Sequence, residues 1–332
     1  MRFSLYTEMQ LHDGKTPQQL YREVLEQIEN ADRLGYDCYA SIEHFFFPKF
    51  SISAHPTALF AAAAQRTKQI RFRTMLHALP YWNPMVLASA IAVTDILTDG
   101  RYEWGVGRGH GWIPEKAVVP LDEHARPRYE EAVDLLFTAL GNERFSHKGE
   151  YFEVADSHVV PFPKRDFRVF LGGTSDRTYE LAAEHGNEPD IVWIHACHLD
   201  EDRSTAMREA RDWVTGFIYG NSSPLLEYDK PDAEALGKAG YGFYAAGIME
   251  QLAEVPFEQL VEEDYVWVGT PDDIVARIAE TREVCPGITE IGITVNAGGA
   301  PHWMAIKNQE LFASAVIPRV PAAEPVEAAR VA

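Results

Sequence analysis

Two rhythms of apolar residues alternate along the chain. Short runs rich in β-branched and aromatic side chains occupy residues 3–6, 38–41, 70–75, 101–106, 168–171, 191–196, 265–268 and 290–295, and each predicts a strand. Between them lie longer stretches in which apolar residues recur every three or four positions. In the clearest of these, Thr16 supplies an N-cap and Pro17 suits the first helical position. Leu20, Val24, Ile28, Ala31 and Leu34 then share one face, and Gly35 ends the helix. Asn83 before Pro84 and Thr270 before Pro271 repeat the start signal, while Gly100, Gly141 and Gly186 stand where helices should stop.

Strands followed repeatedly by helices predict βα units around a parallel sheet, an α/β fold of the (β/α)8 TIM-barrel kind that holds a 332-residue chain as one unit. No break in composition divides it. Residues 1–318 read as the barrel, residues 219–261 with GYGFYAAG as an excursion over one mouth, and residues 319–332, rich in Pro, Ala and Glu, as a disordered tail.

Composition narrows the function classes. A net charge of −20 argues against sequence-independent nucleic-acid binding and against attraction to anionic membranes, so an anionic ligand must be held by a local device. With no apolar run of about 18 residues and no leader-like N-terminus, the expectation is a cytoplasmic protein that does not span a membrane. Cys38, Cys197 and Cys285 are odd in number, far apart and without a CxxC pair, which fits reduced thiols and neither a disulfide framework nor a metal site.

In parallel barrels the working residues lie just past the C-terminal ends of the strands. There stands His44, followed by Phe45, Phe46 and Phe47: either an acid/base near neutral pH or a packed core histidine, with the strand-end position favouring function. After the fourth strand, Gly105 to Gly111 reads GVGRGHG. Its glycines admit backbone N–H groups to an oxyanion and Arg108 can fork onto phosphate, but His110 replaces the third glycine of a dinucleotide fingerprint. The run Gly172, Gly173, Thr174, Ser175 opens a helix that includes Thr178, offering N–H groups and hydroxyls to a phosphate, or in Ser175 a plain N-cap. Past the last strand, NAGGAPH brings His302 to the mouth, as a pocket residue or as part of a loop without chemistry. No Walker loop, HExxH helix or GxSxG elbow occurs.

Taken together, MRFSLYTE, SIEHF, TMLHALPYWNP, DILTDGRYEWGVGRG, LGGTSDRTYELAAEHG, VGTPDDIVARI and ITVNAGGAPH resemble the bacterial-luciferase-like family of flavin-dependent monooxygenases and oxidoreductases over most of residues 1–312. The resemblance implies that His44 is the catalytic histidine near the flavin ring. It implies that Arg108, Ser175 and Thr178 bind the FMN phosphate, with Gly107, Gly173 and Thr174 supplying backbone around it. Met75 and Leu76 match a non-prolyl cis peptide behind the ring, and Trp193 an aromatic position beside it. The function so implied is oxygenation of a small organic substrate with reduced FMN and O₂. Since no NAD fingerprint is present, a separate flavin reductase should supply the reduced cofactor. A deazaflavin-dependent hydride-transfer enzyme and a non-catalytic flavin-binding protein are the alternatives. Relatives are often dimers, so a homodimer is compatible, with no interface legible.

One departure from the family pattern stands between Gly186 and Ile191. Family members have a strand and a helix there, which four residues cannot hold at about 3.3 Å per strand residue and 1.5 Å per helical residue. The barrel is therefore expected to lack one βα unit after residue 186, or to replace its strand with residues 265–268.

Overall fold

The computed structural model describes residues 1–163, 166–173, 175–185 and 190–321. The stop signal at Gly186 and most of the expected tail lie outside these residues. The first half runs β1 (Arg2–Thr7), α1 (Pro17–Leu34), β2 (Cys38–Ser41), α2 (Pro56–Ala64), β3 (Arg71–Ala78), α3 (Pro84–Leu97) and β4 (Tyr102–Gly107). Next come α4 (Ile113–Lys116), α5 (Ala125–Gly141), β5 (Phe145–Lys148), β6 (Glu153–Ser157), β7 (Val169–Leu171), α6 (Asp176–Glu184) and β8 (Ile191–Leu199). The chain continues through α7 (Arg203–Leu226), α8 (Ala233–Lys238), α9 (Ile248–Ala253) and α10 (Phe257–Glu262), then β9 (Trp267–Gly269), α11 (Pro271–Val284), β10 (Ile288–Thr294) and α12 (His302–Ala315).

The expected helix starts hold because side chains satisfy the N–H groups that the first turn leaves free. Thr16 accepts from Gln19 N at 3.2 Å, Asn83 from Met85 N at 2.9 Å, and Thr270 and Asp273 cap each other's backbone. Two features differ from the sequence expectation. The antiparallel hairpin β5–β6 was not anticipated, and α7 continues unbroken to Leu226, so residues 219–226 are helix and the irregular stretch begins after them.

The main sheet has the order β7-β4-β3-β2-β1-β10-β8-β9, and every ladder in it is parallel. Its apolar core includes Phe72 on β3, Trp104 on β4 and Ile291 on β10, with Val24 and Ile28 of α1 packed on the outside. This is a TIM-barrel-like α/β fold whose eight sheet strands are each followed by a helix, so β9 stands in for the strand expected to be missing after residue 186. The three-residue strand β9 pairs with Cys197–Leu199 on the free side of β8, where a sixth barrel strand would lie. Among the described residues no ladder joins β9 to β7.

Charge holds the N-terminal end of this open-edged barrel together. Arg73 is fully buried, with Nε 2.8 Å from Glu103 of β4 and Nη1 2.7 Å from Glu290 of β10. Just before β7, Arg168 reaches Asp190, just before β8, at 2.7 Å through Nε, and Arg2 of β1 bonds the same carboxylate at 2.7 Å. These pairs span the edge that lacks a continuous ladder. The Glu290 carboxyl is held down at about 2: burial opposes its ionisation, but hydrogen bonding and attraction from Arg73 outweigh it.

Removing a partner from a buried pair leaves an uncompensated charge. Arg73→Ala should cost about 3–5 kcal/mol in denaturant unfolding, whereas Arg33→Ala, at an exposed pair with Glu310, should cost under about 1 kcal/mol. Similar losses in the two variants would contradict the network's role.

Candidate active site

The site forms at the opposite, C-terminal end of the strands. Glu43, just past β2, accepts from Trp82 Nε1 at 2.7 Å and from Ala78 N at 3.1 Å, and lies 2.7 Å from His77 Nδ1. His77 Nε2 is 2.9 Å from the Tyr102 hydroxyl, which is 2.7 Å from Thr74 Oγ1. This buried chain pins the end of β3, where the Met75–Leu76 peptide is cis as the resemblance implied. Leu76 needs the neighbouring glycines. A Cβ at Gly105 would come within 2.5 Å of its Cδ2, one at Gly107 within 2.8 Å of its Cδ1, and one at Gly172 would overlap it.

Leu76 forms part of the wall of a cavity of about 490 Å³, within the usual range for small-molecule and cofactor sites. Gly107 at the end of β4 and Arg108 just past it, with Gly173, Ser175 and Thr178 past β7, line the same cavity. The two loops are remote in sequence, and the barrel brings them together. Ser175 occupies the N-cap position of α6 without a capping hydrogen bond, and its Oγ lies 3.1 Å from Thr178 Oγ1. The plain-cap alternative for Ser175 therefore fails, and both hydroxyls remain at the cavity wall. Thr174 lies outside the described residues.

Three arginines line the cavity, with different partners. Arg177 lies 3.1 Å and Arg126 3.8 Å from Glu130, whereas no carboxylate lies within ion-pair distance of Arg108 among the described residues. Burial works against the Arg108 charge and lowers its pKa. A desolvated guanidinium, two hydroxyls and a helix N-terminus thus line one cavity.

His44 is buried and does not line this cavity. Its ring stacks on Phe50 at 4.1 Å, and its centroid is 5.4 Å from that of His110, which is a lining residue. Trp112 donates its indole N–H to His44 Nε2 at 3.1 Å. Because indole only donates, Nε2 must carry the lone pair and the proton sits on Nδ1, which has no hydrogen-bond partner among the described residues. Burial, with a smaller contribution from His110, holds the His44 pKa well below its ordinary value. His44 is thus neutral, with an Nδ1 proton that has no partner among the described residues. Trp112 did not stand out in the sequence, since a lone indole carries no spacing signal.

Three other expected positions stand apart from the cavity. Met75 and Trp193 are not lining residues; Trp193 lies on β8 opposite Ile291. His302 faces α1, 3.0 Å from Glu26 and 3.2 Å from Gln27, which removes it as a pocket residue. Among the described residues no His, Cys, Asp and Glu cluster could hold a metal ion, and no helix is long and apolar enough to cross a membrane.

The family model for luciferase-like monooxygenases matches residues 1–188. The chain belongs to that family. Limonene 1,2-monooxygenase of Rhodococcus erythropolis is 34% identical over 317 residues, covering 89% of this chain and 80% of that one. The oxygenase component of a flavin-dependent trigonelline monooxygenase from Acinetobacter baylyi is 29% identical over 200 residues. That match covers 59% of this chain and only 55% of the relative's length. An F420-dependent glucose-6-phosphate dehydrogenase of Amycolatopsis mediterranei is 24% identical over 281 residues, 77% of this chain and 84% of that one. In fold, the chain is similar to the oxygenating constituent of 3,6-diketocamphane monooxygenase from Pseudomonas putida, solved in complex with FMN, with a TM-score of 0.75 at 20% identity over 98% of this chain and all of that one. Luciferase-like membership makes this chain a flavin-dependent oxidoreductase.

The buried histidines give the site a pH signature. Burial pushes His110 from its ordinary 6.5 down to about 4, and His44 also falls well below 6.5. Their contribution to stability is complete above pH 6.5 and is lost as pH falls from there through the folded-state values. Unfolding free energy should therefore decline between pH 6.5 and about 4, with a shallower slope in His110→Gln. An identical slope in that variant would contradict the assignment.

Proposed function

We propose that the protein is an FMN-dependent monooxygenase, taking reduced FMN from a separate reductase and using O₂ to oxygenate a small, largely apolar substrate. One observation carries the reading: Arg108 from one loop, and Ser175 and Thr178 from another, line a single cavity large enough for a tricyclic ring. Arg108 lacks a carboxylate partner among the described residues, as a group reserved for an anionic ligand would. The relative described as an oxygenase component supports supply of reduced cofactor by a second protein.

In this reading Arg108, Ser175 and Thr178 hold the phosphate, and Gly107 and Gly173 let backbone approach it. Leu76, seated among its glycines, offers an apolar wall to the ring. Reduced FMN bound there supplies the electrons that activate O₂. Tyr241, Phe243 and Tyr244 line the cavity from the excursion after α8 and limit the entry of water. His44 keeps a proton on Nδ1, held in that tautomer by Trp112, and lies behind the lining residue His110, so it would act as an acid/base on the reacting atoms only across that ring or after a local rearrangement.

The test supplies chemically reduced FMN, ¹⁸O₂ and a panel of cyclic ketones and terpenes. One labelled oxygen atom in the product supports the reading; O₂ consumption no faster than that of free reduced flavin across the panel counts against it. The F420-dependent relative keeps a deazaflavin reading in view, and the absorption spectrum of cofactor extracted from the purified protein separates the two.

Arg108→Ala should weaken FMN binding about tenfold or more, since a charge-assisted contact contributes roughly 1.5–3 kcal/mol. His44→Ala should leave FMN affinity within about twofold and slow product formation by on the order of a hundredfold. Fluorescence titration and single-turnover rates check the pair. Unchanged affinity in the first variant, or unchanged rate in the second, would remove that residue from its role.

A further inference from the structure

The arginine assigned to the phosphate is gripped by a part of the chain far from both cavity loops. Arg108 Nη1 donates to the carbonyl of Ala239 at 2.8 Å and Nη2 to the carbonyl of Gly240 at 2.7 Å. Its guanidinium carbon lies 4.4 Å from the centre of the Tyr241 ring, and the Tyr241 hydroxyl donates to the Arg108 backbone carbonyl at 2.8 Å. Three consecutive residues thus hold both the side chain and the backbone of Arg108. Burial pushes the Tyr241 hydroxyl up to about 12, so it remains a donor at neutral pH.

A guanidinium carries five N–H donors. Two engage Ala239 and Gly240, and the rest remain available to a ligand in the cavity that Arg108, Gly240 and Tyr241 all line. A free arginine loses rotamer entropy when it is ordered. An arginine ordered in advance by backbone carbonyls and a stacked ring has already lost most of that freedom before an anion arrives.

We propose that Tyr241 and the turn at Gly240 form the positioning element of the cofactor-phosphate site, orienting Arg108 towards the phosphate and tying the seating of the excursion to it. The inference rests on the flavin reading above. The local backbone fits the role. Gly240 has φ +74° and Gly247 φ +73°, so two left-handed glycines bracket the segment that carries Tyr241, Phe243 and Tyr244. A Cβ at Gly240 would come within 3.2 Å of Arg108 Nη1, and one at Gly111 within 2.9 Å of Tyr244 and 3.1 Å of Tyr241. The segment is seated directly on the loop that carries the arginine.

FMN and riboflavin differ by the phosphate alone, and this separates positioning of Arg108 from general support of the cavity. The experiment titrates both flavins into the wild-type protein, Tyr241→Ala, Tyr241→Phe and Gly240→Ala, with circular dichroism confirming that each is folded. Wild type should prefer FMN. Tyr241→Ala should lose about tenfold in FMN affinity, the scale of a disturbed charge-assisted contact, while riboflavin affinity stays within about twofold. Tyr241→Phe, which keeps the stacked ring, should fall between the two. Gly240→Ala should reproduce the selective loss and settles the matter if Tyr241→Ala fails to fold. An FMN preference unchanged in both Tyr241→Ala and Gly240→Ala, or an equal loss of both flavins, overturns the inference and leaves the flavin reading intact. Failure of the wild-type protein to bind either flavin overturns both.

Discussion

A fully buried arginine between two carboxylates is what an open-edged sheet needs in order to enclose anything. Arg73 of β3 joins Glu103 of β4 to Glu290 of β10, and the guanidinium groups of Arg73 and Arg168 lie 4.2 Å and 4.9 Å from the centre of the Phe170 ring on β7. Backbone ladders close most of the barrel, but among the described residues β7 has no ladder partner beyond β4. Side-chain charge takes over at that edge through Arg168 and Asp190. Such a network is sensitive to the loss of any member, because each charge is tolerated in the interior only through its partners.

The two ends of the barrel therefore use opposite electrostatics. At the N-terminal end charges are paired and buried. At the C-terminal end His44 and the half-buried His110 are neutral, the walls are aromatic, and one guanidinium lacks a carboxylate partner among the described residues. The chain as a whole is strongly acidic, so under the proposed function attraction of an anionic cofactor comes not from the overall field but from Arg108, the two hydroxyls and the first turn of α6. In such surroundings a donor aimed at developing charge is worth more than in water, and a neutral His44 held by Trp112 fits that environment better than a charged imidazolium would.

Much of this was legible in the sequence wherever the signal is local. Thr16 and Pro17, Asn83 and Pro84, and Thr270 and Pro271 each mark a helix start through contacts within a single turn, and the strands followed from short β-branched runs. The two cavity loops proposed to hold phosphate were readable because glycine, arginine and hydroxyl residues cluster at strand ends, and the shortage of residues after Gly186 followed from arithmetic on rise per residue. What was not legible depends on contacts between distant segments. No spacing rule links Trp112 to His44, Tyr241 to Arg108, or Arg73 to Glu290. His302 carried the right residue type at a strand end but turned towards α1, because Glu26 and Gln27 offered it partners there. The β5–β6 hairpin was missed because its strands are short and largely polar.

The central claim is that loops from β4 and β7 converge on one phosphate. The most direct measurement is a crystal structure of the protein with FMN at a resolution that places the phosphate oxygens. The account predicts a phosphate within hydrogen-bond distance of the Arg108 guanidinium and of the hydroxyls of both Ser175 and Thr178, with the ring extending past Leu76. A phosphate bound elsewhere, or a flavin whose ring occupies the arginine end of the cavity, would contradict it.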